Sequence, residues 1–177
     1  ESGAITEATT MTNVPESYRT GRGRYWKPRN FSNKYDGKKY SMEQALAKSI
    51  NVMAVKVLEK TGVREVIKYA KTIGIESPIE RDLSIALGST AVSPLEIANA
   101  YATFASEGWH QAPHIVDRVD NAQNETVFQH TNQSKRVTSQ ETAHSISNML
   151  KAVIETGTGK RARLPGRPAA GKTGTTQ

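Results

Sequence analysis

Two short stretches of this 177-residue chain carry side chains whose types and spacing could do chemistry. The first is the tail, Ala169-Ala170-Gly171-Lys172-Thr173-Gly174-Thr175-Thr176-Gln177, which is small, polar and glycine-spaced around one cation. Read backwards from Thr173, Gly166-Arg-Pro-Ala-Ala-Gly171-Lys172-Thr173 fits the phosphate-loop pattern letter for letter. The second is Ser49-Ile50-Asn51. In an unbroken helix, residues two apart point to nearly opposite sides. Ser49 and Asn51 can therefore share a site only if the helix breaks or kinks between them. Elsewhere, Gly21-Arg-Gly-Arg-Tyr-Trp-Lys-Pro-Arg29 mixes cations with aromatics, which could track phosphates and stack on bases. The plainer expectation is an irregular surface segment pinned by Tyr25, Trp26 and Phe31. His110, His114, His130 and His144 show no metal-ligand spacing, and no carboxylates pair suggestively, so no metal or other cofactor is expected.

The elements that must position these residues are mostly helical. Ser41-Met-Glu-Gln44 reads as a capping box, followed by an apolar stripe at Met42, Ala45, Leu46, Val52, Met53, Val57 and Leu58. Thr61-Gly62 closes that run with an expected left-handed cap. A second amphipathic helix covers 63–73 and ends at Gly74. Residues 75–92 read as loop with short extended structure. Ser93-Pro94-Leu95-Glu96 is the strongest helix start in the chain. The Ile97, Tyr101, Phe104 and Ala105 stripe that follows is expected to be core, and the helix to stop at Gly108. His114–Val119 and Thr126–Gln129 form an expected hairpin about a turn at 121–124. Thr138-Ser-Gln-Glu141 reads as another capping box. The helix it opens presents Ile146, Met149, Leu150, Val153 and Ile154, and ends at Gly157. A basic loop carries Lys160, Arg161, Arg163 and Arg167, and the last nine residues suit an extended strand. Residues 1–40 are polar, turn-rich and poor in periodicity, so they are expected to be irregular.

Length and composition set outer limits. The hydrophobic fraction is 36% and the charged fraction 23%, as in a folded globular chain. The net charge of +7 favours anionic partners, whether nucleic acid, a membrane surface or a small anionic substrate. The absence of cysteine excludes disulfides and thiolate zinc sites. No apolar run approaches the roughly 20 residues that a membrane span needs. The chain has no initiating Met and no signal peptide, and it is expected to be a piece of a longer protein.

Context decides between the readings of the tail. A phosphate loop needs a buried strand before it and a helix after it. Lys160-Arg-Ala-Arg-Leu-Pro165 is basic and proline-interrupted, and Gly-Thr-Thr-Gln is a poor helix start. The alternative is a family resemblance. Ser49-Ile50-Asn51 and Lys172-Thr173-Gly174 resemble the second and third motifs of the penicillin-binding proteins and serine β-lactamases. Tyr40–Asn51, the segment Leu87–Gly108, and Gly157-Thr-Gly-Lys160 are similar to stretches of the class A, bifunctional penicillin-binding proteins. The resemblance covers residues 25–177.

The resemblance implies an α+β fold: the transpeptidase fold, with an antiparallel sheet flanked by helices plus an all-helical lobe. Residues 1–177 would form part of that domain. It would comprise an irregular segment (1–40), a helical lobe (41–110), and a region with the hairpin, the long helix and the start of the Lys-Thr-Gly strand (111–177). It implies acyl transfer on the D-alanyl-D-alanine end of a peptidoglycan stem peptide, with β-lactams as mimics. Ser49 would relay a proton, Asn51 would hydrogen-bond the substrate amide and the first motif's lysine, and Lys172 would attract the substrate carboxylate and the developing anion. Thr173 and Thr175 would recognise carboxylate and amide. Gly174 would let the substrate approach the strand edge, and the Thr175 amide would be half of an oxyanion hole. A carboxypeptidase or serine β-lactamase of the same fold is the nearest alternative. A basic nucleotide- or nucleic-acid-binding module built on 21–31 or 166–173 is the more distant one. The implied location is the extracytoplasmic face of a bacterial cell membrane, with the anchor outside these residues. One departure matters: no serine here has a lysine three residues on, so the first motif, Ser-x-x-Lys, is missing. The chain is expected to start just after it and to be inactive alone. Its partner would be the remainder of the same polypeptide, supplied in one chain or two.

Overall fold

In the computed structural model, which describes residues 5–6, 8–20 and 23–174, the helix opened by Ser41 is two helices. Helix α1 spans Met42–Ala47 and α2 spans Asn51–Thr61. The Ser41–Gln44 capping box forms: the Gln44 N–H donates to Ser41 Oγ (3.2 Å), and the Ser41 N–H to Gln44 Oε1 (3.1 Å). What stops α1 is a Schellman closure. The Ser49 N–H returns to the Leu46 carbonyl (3.1 Å) and the Ile50 N–H to the Ala45 carbonyl (3.0 Å). That closure requires a positive φ at Ser49, which has φ +54°. Glycine usually holds this position because a Cβ there is strained.

Helix α3 (Val63–Thr72) follows directly. Gly62 carries φ +92° but ψ 127°, so it joins α2 to α3 without entering the left-handed helical region. Residues 75–92, read as loop with extended pieces, contain a 3₁₀ turn over Leu83–Leu87. Helix α4 (Pro94–Ala105) starts at the Ser93/Glu96 capping box. Its core expectation is corrected. Ile97 and Tyr101 are 42% and 39% exposed, Ala105 is exposed, and the helix buries Ala100 and Thr103 instead. The Ile97–Tyr101 face is thus only partly covered among the described residues. Helix α5 (Gln140–Glu155) is capped by Ser139, one residue later than expected. Thr138 is buried under Gly108, and the Ser139 hydroxyl is the one that accepts from the helix, at the Thr142 N–H.

Among the described residues, short strands form four antiparallel pairs. Strands β1 (Thr10–Thr12) and β4 (Lys39–Ser41) pair, as do β2 (Tyr18–Thr20) and β3 (Arg24–Trp26). The first 40 residues are therefore more regular than their polar composition suggested. Trp26 meets the ring of buried Tyr18, but Tyr25 and Phe31 are 67% and 96% exposed and pin nothing. Strand β5 (Trp109–His110) pairs with β8 (Lys135–Arg136). The expected hairpin exists as β6 (Arg118–Asp120) with β7 (Thr126–Gln129). Its first strand starts four residues late, and His114, ahead of it, stacks on His130 with ring centroids 3.7 Å apart. Residues 168–174 pair with no other strand among the described residues. A strand takes its hydrogen bonds from a neighbour, and here the Gly171 N–H reaches the Leu150 carbonyl of α5.

Two apolar clusters hold these elements. One joins α1 and α2 through Met42, Ala45, Val52 and Met53, with Met149 of α5 packed on it. The other joins Ile73, Ile75 and Ala100 with Tyr69, Phe104 and Val137. Val52, Val55 and Val153 are fully buried, each worth about 1.5–3 kcal/mol in water-exclusion energy.

Candidate active site

The site forms where the break between α1 and α2 meets the tail. The turn that ends α1 lifts Ser49 out of the helix, and α2 restarts at Asn51. The tail crosses this break so that Lys172 Nζ lies 2.8 Å from Ser49 Oγ, two residues 123 apart in sequence. Lys172 also donates to the Thr173 carbonyl (3.0 Å) and approaches the Thr173 hydroxyl (3.4 Å). These bonds fix the ammonium on the Ser49 hydroxyl. Burial pushes the Lys172 pKa down from its ordinary value, because part of its hydration is lost. A cation held this way is a preorganised charge for an arriving anion.

Asn51 stands at the first turn of α2, half-buried, and its side chain donates to the Arg29 carbonyl (2.9 Å). The structure thus joins Ser49 to Lys172 directly, with Asn51 two residues along the same break. Thr173 and Gly174 are exposed, and a Cβ at Gly174 would meet nothing within 4 Å. Thr175 lies outside the described residues.

Sequence reasoning assigned no role to the residues that seat the tail. Gly157, Thr158 and Gly159 follow α5 and dock against the end of α1. The Thr158 N–H donates to the Ala47 carbonyl (3.0 Å), and a Cβ on Gly157 would sit 2.3 Å from that same oxygen. The Thr158 hydroxyl meets the Thr173 hydroxyl at 2.8 Å. The Gly157-Thr-Gly159 signal was present as a family-like stretch, but its mechanical role depends on a contact 110 residues back in the chain.

The other candidate chemistries find no such convergence. Gly166 (φ +70°) lies in a tight turn closed by the Leu164–Arg167 bridge, preceded by a 3₁₀ turn at Lys160–Ala162 and followed by no helix through Gly174. A phosphate loop has neither its strand nor its helix here. No helix among the described residues is long and apolar enough to cross a membrane.

A serine in a helix break and a lysine on a threonine- and glycine-rich tail thus meet in one site. A family profile described as "Penicillin binding protein transpeptidase domain" matches residues 1–177, and the chain belongs to that family. Relatives include penicillin-binding protein 2a of Streptococcus pneumoniae, 32% identical over 154 residues, covering 86% of this chain and 21% of that protein. Penicillin-binding protein 1F of Bacillus subtilis is 36% identical over 151 residues, covering 84% of this chain and 21% of that protein. The fold matches penicillin-binding protein A from M. tuberculosis, solved as an imipenem acyl-enzyme complex, with a TM-score of 0.82 at 19% identity, covering 99% of this chain and 45% of that one. The class A resemblance read from the sequence therefore holds, and so does the α+β transpeptidase fold. The chain spans about a fifth of the length of the curated relatives it matches.

Proposed function

We propose that these residues form part of a D-alanyl-D-alanine transpeptidase that cross-links peptidoglycan and is acylated by β-lactams. The observation that carries this reading is the 2.8 Å contact of Lys172 Nζ with Ser49 Oγ. A serine outside these 177 residues attacks the penultimate D-alanyl carbonyl, and terminal D-alanine leaves with a proton. An amine from a neighbouring stem peptide then attacks the acyl-enzyme, forming the cross-link and freeing the serine. Ser49 can both accept and donate a proton, so it suits the relay to the leaving nitrogen. Lys172, pinned on it, biases that hydroxyl and holds the substrate carboxylate. Asn51 presents an amide to the substrate backbone. Thr173, Gly174 and Thr175 offer hydroxyls and an unobstructed edge on which an extended peptide can lie. The M. tuberculosis relative forms an imipenem acyl-enzyme, which supports β-lactams as ligands here too. The site faces the extracytoplasmic side of the bacterial membrane, where its substrate lies.

Two measurements test this. In the full-length protein, Ser49→Ala and Lys172→Gln should each slow acylation by a fluorescent penicillin about 10²- to 10³-fold, the loss expected when one preorganised donor is removed. Unchanged rates in both would remove the reading. Products from a stem-peptide substrate with and without an acceptor amine separate transpeptidation from hydrolysis. The 177 residues alone, lacking any Ser-x-x-Lys, should show no covalent penicillin adduct by mass spectrometry. An adduct on any serine in 1–177 would place the nucleophile inside the chain after all.

A further inference from the structure

Helix α2 has no cap of its own: Ile50 stands at its N-cap position and offers no side-chain acceptor. The cap comes from 22 residues upstream, where the buried Asn30 Oδ1 accepts the Val52 N–H at 3.3 Å. Both N–H groups of the same amide are also committed. Asn30 Nδ2 donates to Asn13 Oδ1 (2.8 Å) and to the Lys34 carbonyl (2.9 Å), which fixes the orientation of the amide. Asn13 is itself buried, and its Nδ2 donates to Asp36 Oδ1 (2.9 Å). The other Asp36 oxygen accepts the Tyr40 hydroxyl, and Tyr40 stands immediately before the Ser41 cap of α1. One chain of side-chain hydrogen bonds thus runs from the start of α1 to the start of α2. The Ser49 break lies between the two anchored points. The neighbouring Arg29 carbonyl receives Asn51 Nδ2, so two consecutive residues of one loop hold the restart of α2.

We infer that Asn30 is a positioning residue for the Ser49–Asn51 break, acting as a remote cap that fixes where α2 restarts and so where the Ser49 hydroxyl meets Lys172. This rests on the transpeptidase reading of that site. Ser49 sits in a strained conformation, and a strained residue keeps its geometry only when its surroundings over-determine it. The Schellman closure restrains it from the α1 side, and Asn30 restrains it from the α2 side. Without Asn30, Val52 loses its acceptor, and Asn13 loses a donor while buried. The break is then free to relax toward the continuous helix that the apolar stripe favours.

The test uses the full-length protein and a fluorescent penicillin, with thermal melting measured alongside. Asn30→Ala should lower the acylation rate constant by an amount on the order of tenfold to a hundredfold, the scale of a small misplacement of reacting groups, with little change in the affinity of the preceding complex. Asn30→Asp retains the acceptor for Val52 but turns both donated bonds into contacts between oxygens. It should lower acylation too, and the melting temperature more than Asn30→Ala does, because a buried carboxylate then faces two acceptors. Asn13→Ala leaves the Val52 cap in place and frees only one Asn30 donor, so it should give a smaller loss of the same kind, and it carries the test if the Asn30 variants do not fold. The decisive comparison puts Asn30→Ala (or Asn30→Asp) into a Ser49→Ala background. A residue acting through Ser49 adds little further loss there, and a full additional loss would overturn the proposal. A lowered melting temperature with unchanged acylation would reduce Asn30 to a structural role and overturn it too. If Ser49→Ala alone is without effect, the reading of the site fails first, and the role of Asn30 fails with it.

Discussion

Ser49 does two jobs that conflict chemically. The end of α1 needs a left-handed residue there, and a hydroxyl facing Lys172 is needed in the same place. A non-glycine residue in that region is strained by about 1 kcal/mol. Glycine would relieve the strain but would lose the hydroxyl. Ser49→Gly and Ser49→Ala should therefore lose acylation equally and differ in stability, with the glycine variant the more stable by about 0.5–1 kcal/mol in denaturant titrations. Equal or reversed stabilities would mean that the turn is not strained at Ser49. This residue also marks the limit of what the sequence discloses. The Ser-x-Asn spacing left open whether the helix breaks, because the residues around it fit a continuous apolar stripe. The break is settled by the Schellman closure and by the Asn30 cap, and the second of these comes from 22 residues away. Lys172, by contrast, was legible as the one cation in a small-residue tail. Its partner was not, since that contact spans 123 residues.

At the scale of elements, the capping boxes at Ser41 and Ser93 were legible because their chemistry is local. The start of α5 slipped by one because Thr138 and Ser139 both carry hydroxyls, and packing under Gly108 selects between them. The strands were hardest to read. Each has only two to four residues, and their pairing is set by turns and side-chain contacts rather than by alternation. The element with most leverage on the site is the joint at 157–159. Gly157 has no room for a side chain, since its Cβ would meet the Ala47 carbonyl oxygen at 2.3 Å and the carbonyl carbon at 2.8 Å. Both are backbone atoms that cannot swing aside. Gly157→Ala should therefore cost about 1–3 kcal/mol, the usual penalty for overpacking. It should also push Thr158 away from Thr173, slowing acylation in the full-length protein. A variant with normal stability and normal acylation would show that the joint does not seat the tail. Gly174→Ala is the control at the other end of the tail: it meets open space and should leave stability nearly unchanged.

For the molecule as a whole, the carboxylates set the acid limit of stability. Glu96 accepts from the N–H groups of Ser93 (2.7 Å), Glu76 (2.8 Å) and Ser77 (2.6 Å) and from the Ser77 hydroxyl (2.7 Å). The Ser93 and Ser77 bonds lower its pKa from 4.5 to about 2. The Tyr40 hydroxyl and the Asn13 amide hold Asp36 below its ordinary 3.8. Burial raises Glu16, but hydrogen bonds and charge from Lys56, with the Tyr18 hydroxyl, outweigh it and leave Glu16 below 4.5. In each case the folded state binds protons less readily than the unfolded chain. The stability these groups supply is complete above about pH 4.5 and is lost as pH falls from there toward 2. Lys172 has the opposite consequence on the alkaline side. Its folded pKa lies below 10.5, so the burden of burying its charge is present at neutral pH and lifts as pH rises toward 10.5. Glu96→Gln keeps one acceptor oxygen but places an amide against backbone donors. Chemical denaturation from pH 7 to pH 2 should show wild type losing stability below pH 4.5, and Glu96→Gln starting lower with a shallower acid slope. Parallel slopes for the two proteins would mean that Glu96 does not hold the 76–77 loop to α4.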